Sequence, residues 1–141
     1  AEAEEAYAHR YHLIRVATYD GVQNSEQLVD SLRFAGDQDY RNWLARLDRF
    51  PTYMAQNIEL LREGIRTNTR LPKVIVERVL PQVATLSRLP PERSGFFKPF
   101  TQFPDAIPAA DRERLQLRGT CRLGAATGCT FAEGARRPAR G

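Results

Sequence analysis

From Asn24 to Leu115 most apolar residues recur every three or four positions, the spacing that places them on one face of an α-helix. Four segments follow from this pattern. Asn24 and Gln27 have capping-box spacing and precede Leu28, Leu32 and Phe34, which predicts a short helix over 25–35 ending at Gly36. Asp37 is the expected N-cap of the next, where Tyr40, Trp43, Leu44 and Leu47 fall at i, i+3, i+4 and i+7. Pro51 suits a first helical turn and predicts a fresh start, with Met54, Ile58, Leu61 and Ile65 forming the stripe. Arg62, Arg66 and Arg70 then sit toward the C-terminal end, where the helix dipole favours cations. Pro72 opens the fourth segment, carrying Ile75, Val79, Val83 and Leu86, and Pro81 within it predicts a kink or break.

Stripes of this kind are core, so the expected fold class is all-α, built of antiparallel helical hairpins. Short connections at Phe50-Pro51 and Thr67–Leu71 fit that arrangement. The expected organisation is an irregular N-terminal segment (1–23), a helical domain (24–115) and a tail (116–141).

Two stretches lack the helical period. His12–Gln23 mixes β-branched residues with an Asp20-Gly21 turn and is expected to be extended before that turn. The stretch from Phe96 to Pro104 gathers four of the seven phenylalanines, Phe96, Phe97, Phe100 and Phe103, between prolines. Rings this dense must be covered, either by the chain's own helices or by another part of a larger protein. These four residues are the candidate docking surface.

From Gln116 the character changes. The remaining residues have no apolar period and contain five of the nine glycines and both cysteines. Gly, Ala, Arg, Pro and Cys are also what a GC-rich gene yields out of frame, so 116–141 is expected to be a disordered, frame-shifted tail. Five arginines from Arg118 onward, against the single acid Glu133, account for the whole net charge of +4. Residues 1–117 are therefore neutral and have no electrostatic reason to seek a polyanion, which argues against a nucleic-acid partner. No stretch approaches the roughly 20 apolar residues of a membrane span. The start, Ala1-Glu2-Ala3-Glu4-Glu5, is acidic and lacks the basic opening of a signal peptide.

A search for chemistry finds no site. The only histidines, His9 and His12, would reach one metal if their segment were helical, but no Asp, Glu or Cys completes the set at recognisable spacing. Cys121 and Cys129 would need two further ligands, and no histidine lies nearby. Neither a nucleophile elbow, a phosphate-cradling loop nor a His-Glu-x-x-His is present. No catalytic, cofactor-binding or metal-ligating residue is assigned.

Three blocks have a familiar order: Tyr40-Arg-Asn-Trp-Leu-Ala-Arg-Leu-Asp-Arg-Phe-Pro-Thr-Tyr-Met, Leu60-Leu-Arg-Glu-Gly-Ile-Arg and Leu71-Pro-Lys-Val-Ile-Val-Glu-Arg-Val. With Phe97-Lys-Pro-Phe-Thr-Gln-Phe-Pro, Ile107-Pro-Ala-Ala-Asp-Arg-Glu-Arg-Leu and the His12–Gln23 stretch, they resemble the bacterial domain-of-unknown-function family 885 over roughly residues 9–115. The resemblance implies the N-terminal part of an all-α, zinc-metallopeptidase-like hydrolase several times longer. It also implies zinc as the cofactor of the full-length protein, a peptide substrate in that context, and a lean toward export or the periplasm. The family's metal motif, His-Glu-x-x-Pro-Gly-His, holds Zn²⁺ between two histidines while the glutamate activates water. No position here matches it, so no residue is carried over. Two functions are expected to compete: a truncated, inactive part of such a protein, or a free-standing helical protein-interaction module using the aromatic loop 96–103.

Overall fold

Among residues 2–124, which the computed structural model describes, every regular element is helical. The α-helices are α1 (Glu2–Ala8), α2 (Asp37–Arg66), α3 (Lys73–Leu86) and α4 (Ala109–Gly124). Between them lie 3-10 helices at Tyr11–Leu13, Val22–Ser31, Pro91–Arg93 and Gly95–Phe100. The chain is all-α, as its periodicity predicts.

Several local expectations are corrected. The short helix expected over 25–35 is a 3-10 helix, Val22–Ser31. Asn24 does not cap it: its side-chain amide donates back to the Tyr19 carbonyl, while the Ser25 and Ser31 hydroxyls donate to carbonyls three residues earlier. Such local bonds compete with the α-helical ladder and favour tight turns. His12–Gln23 is not extended either. It holds a 3-10 turn and a loop closed by a 2.9 Å bond from the Val22 amide to the Arg15 carbonyl.

Helix α2 is continuous through Pro51, so the expected connection at Phe50-Pro51 does not exist. A proline removes one backbone bond, and here it does so inside an unbroken helix of 30 residues. The turns on either side are tied by other means: Leu44 and Leu47 are buried before it, and Glu59–Arg62 and Glu63–Arg66 pair after it. The start of α2 is not capped by Asp37. Instead, the Asp39 carboxylate reaches back to accept the Ala35 and Gly36 amides at 2.9 and 3.0 Å, the acidic half of a capping box. Asp37 pairs with Arg41 one turn along.

The end of α2 is a Schellman motif. Asn68 is left-handed at φ 57°, the Thr69 amide bonds the Gly64 carbonyl at 2.8 Å, and the Asn68 amide bonds Ile65. Helix α3 follows Pro72 and runs through Pro81 without a break.

The largest correction lies at residue 116, where a tail was expected to begin. Helix α4 passes through that point to Gly124. Residues 125–141, with Cys129 and the rest of the expected tail, lie outside the described residues.

By packing, the chain forms two compact units, each discontinuous in sequence. One consists of 2–26 and 49–88, the other of 27–48 and 89–124.

Candidate functional site

The second unit holds most of the core. Val29, Tyr40, Trp43, Leu44, Leu47, Phe97, Phe100, Ile107 and Leu115 form one buried cluster, with Phe96 and Phe103 packed against it. The predicted stripe on α2 is fully used: all four of its members are buried. The aromatic loop is used in the same way. It is a 3-10 helix, Gly95–Phe100, started by Ser94, whose hydroxyl accepts the Phe96 amide. Phe100 has no exposed surface and Phe97 almost none. Phe103 lies 5.0 Å from the Tyr40 ring, and Phe96 lies 6.1 Å from Trp43. Of the expected docking surface, Phe97 and Phe100 are buried in the chain's own core, and Phe96 and Phe103 are half-buried against it.

Polar groups lock this arrangement. The Trp43 indole donates to the Phe96 carbonyl at 3.1 Å, and the Tyr40 hydroxyl donates to Gln102 at 3.3 Å. Burial raises the Tyr40 pKa, Asp39 adds to the rise, and Arg112 opposes it. On α4 the Gln116 amide donates to the Phe100 carbonyl at 2.8 Å. Gly119 faces the Phe100 ring so closely that a Cβ there would lie 2.8 Å from two ring carbons. Leu115, Gly119 and Gly124 are all buried. They form the inward face of a helix whose apolar period is hidden because two of its members are glycines.

An open cleft of about 130 Å³ lies on the surface of the same unit. Leu32, Phe34 and Trp43 supply its apolar lining, and Arg33, Asp39, Asn42 and Arg46 its polar lining. Phe34 meets the Trp43 ring edge-on at 6.1 Å. Nothing in the sequence singled out Arg33 or Arg46. The available signal was their nearness to Trp43, since Arg46 stands three residues beyond it on α2.

The first unit is built differently. Two of its few buried side chains are polar, Gln23 and Asn57. Asn57 accepts from Arg15 at 2.6 Å and donates to the Tyr53 carbonyl. Gln23 donates to Ala17 and Gln82, and its amide oxygen has no partner. His9 and His12 do not share a helical face, because α1 stops at Ala8 and Arg10 turns left-handed at φ 57°. His12 stacks on Tyr7 at 4.6 Å, with Nδ1 buried and unpartnered. A zinc site needs three or four donors. Among the described residues no group of three His, Cys, Asp or Glu side chains gathers, so these residues do not fit zinc. No described helix is long and apolar enough to cross a membrane.

Two of the predicted stripes are only partly buried. On α2 Ile58 and Ile65 are exposed, and on α3 Val83 is exposed although Val79 is buried. Val76 and Leu80, which lie off the predicted stripe, join Val83 at i, i+4 and i+7 to make a second, outward apolar face.

A family model described as "Bacterial protein of unknown function (DUF885)" matches residues 1–129. The match runs well past residue 116, in agreement with the continuity of α4 and against a change of identity at that point. No curated protein and no solved structure matches the chain. This chain belongs to the DUF885 family.

Proposed function

Within that family, we propose that this chain is a non-catalytic helical part of a larger zinc-metallopeptidase-like protein, inactive by itself and serving to support a site built elsewhere. The observation that carries this reading is α3. Its apolar face continues from the buried Val79 onto Val76, Leu80 and Val83, which are exposed. Exposed apolar patches of this kind mark surfaces that other protein covers. Leu80, 60% exposed, is the largest side chain of that face. The metallopeptidase character itself is what the ordered sequence blocks resemble, and the zinc ligands would belong to the remainder of such a protein.

The test is an assay of the purified chain. It is expected to cleave no peptide, to hold no stoichiometric zinc after dialysis, and to bind an apolar-surface dye at α3. Hydrolysis of a peptide by the pure chain, abolished by a chelator and restored by zinc, would overturn the proposal.

A further inference from the structure

We propose that the cleft between the Leu32–Phe34 segment and the outer face of α2 is a binding site for a small monocarboxylate carrying an apolar group. The lining divides in two. Leu32 and Phe34, half-exposed beside the buried Trp43, offer an aliphatic and aromatic surface, which suits a ring or branched chain and not a bare ion. The polar groups are almost all donors. Arg33 and Arg46 have no hydrogen bond or ion pair with any described residue, and each guanidinium presents a planar fork suited to a carboxylate.

The remaining polar pair is already oriented. Asn42 accepts from Gln38 through its oxygen, which leaves its amide N–H groups as further donors. Asp39 is held by the Ala35 and Gly36 amides, so its carboxylate is committed to starting α2. Its charge still counts. Two arginines and one aspartate leave the lining with a single net positive charge, which matches a monoanion better than a dianionic phosphate. The carboxylate would lie between the arginines with its apolar group against Leu32 and the Phe34 ring. Two sources share this chemistry: a free carboxylic acid, or the C-terminal residue of a peptide ending in an apolar side chain. The site is independent of the metallopeptidase reading.

Trp43 is the sole tryptophan, so its emission reports on the cleft directly. Titration of the full chain with 3-phenylpropionate is expected to give a saturable change. Its neutral amide is expected to bind about fivefold more weakly. Because both arginines are exposed, Arg33→Gln and Arg46→Gln are each expected to weaken binding about two- to fivefold, and the double variant about tenfold. Arg46→Lys should recover part of the loss. Acetyl-Ala-Phe with a free C-terminus, compared with the free acid, assigns the source, since the tighter of the two identifies the natural chemistry. No saturable response to either acid overturns the proposal. So does equal binding of acid and amide, or a double variant that melts and binds like the parent.

Discussion

The two units are of comparable size and are stabilised by different means. The second unit buries aromatic rings against one another: Tyr40, Trp43, Phe97 and Phe100 are covered, and their polar atoms reach backbone carbonyls. The first unit buries Gln23 and Asn57 and leaves Tyr7, Tyr11, Tyr19, Ile58, Ile65, Val76, Leu80 and Val83 exposed. Hydrophobic burial is the dominant favourable contribution to folding, at about 25 cal/mol per Å² of apolar surface. A unit that exposes its apolar residues and buries amides therefore has less holding it in one conformation. The same helical periodicity thus produces a finished core in one unit and an apolar surface in the other.

The strongest way to break this contrast is to truncate a covered ring in the second unit and an uncovered stripe residue in the first. Phe100→Ala is expected to cost about 3–5 kcal/mol, because the ring has no exposed surface and no solvent can fill the space. Ile65→Ala, in the first unit and 64% exposed, should stay within about 0.5 kcal/mol. Denaturant midpoints followed by far-ultraviolet circular dichroism, which reads the helices of both units, compare the two; equal costs would dissolve the distinction.

Gly119→Ala tests the core from the other direction. Helix propensity alone predicts a gain of about 1 kcal/mol. The 2.8 Å approach to the Phe100 ring predicts a net loss of about 1–3 kcal/mol instead, since that ring has nowhere to move. A raised melting temperature would show that the second unit is looser than its geometry implies.

A smaller effect follows from Tyr40. Burial raises its pKa in the folded state, so folding favours the neutral phenol. That contribution is fully present below the unfolded pKa of about 10 and is lost as pH rises through the folded value. Alkaline unfolding of the parent should therefore be steeper above about pH 10 than that of Tyr40→Phe. Identical alkaline profiles would remove Tyr40 as the cause.

The smallest stability change is expected at α3. Leu80→Glu should alter stability by less than about 0.5 kcal/mol while reducing dye binding. A loss of several kcal/mol would mean that this face is already covered.

Legibility from the sequence differed between the same two regions. The Tyr40–Leu47 stripe was plain because each member is apolar and buried on a helix without interruption. The α4 face was invisible beyond Leu115 because Gly119 and Gly124 carry no side chain for a periodicity to register. Pro51 was misread for a related reason: local chemistry favours a start there, and the burial of Leu44 and Leu47 that carries the helix through is a tertiary effect. Asn68 ends α2 by a left-handed turn that its position among polar residues did not distinguish. For the aromatic loop, density alone showed that the rings must be covered, and only packing showed by what. The cleft was not legible at all, since Arg33 and Arg46 come together across a loop and a helix and not along a motif.

The discontinuity of the second unit has a consequence for how the chain is born. Its core joins residues 29–47 to residues 97–115, with the other unit's 49–88 synthesised in between. At bacterial translation rates of about 5–20 residues per second, Tyr40 and Trp43 wait several seconds for the phenylalanines that cover them. During that interval the most apolar face of the nascent protein has no partner of its own. Chaperone dependence should therefore track the emergence of Phe97 and Phe100 from the ribosome, not the completion of α2.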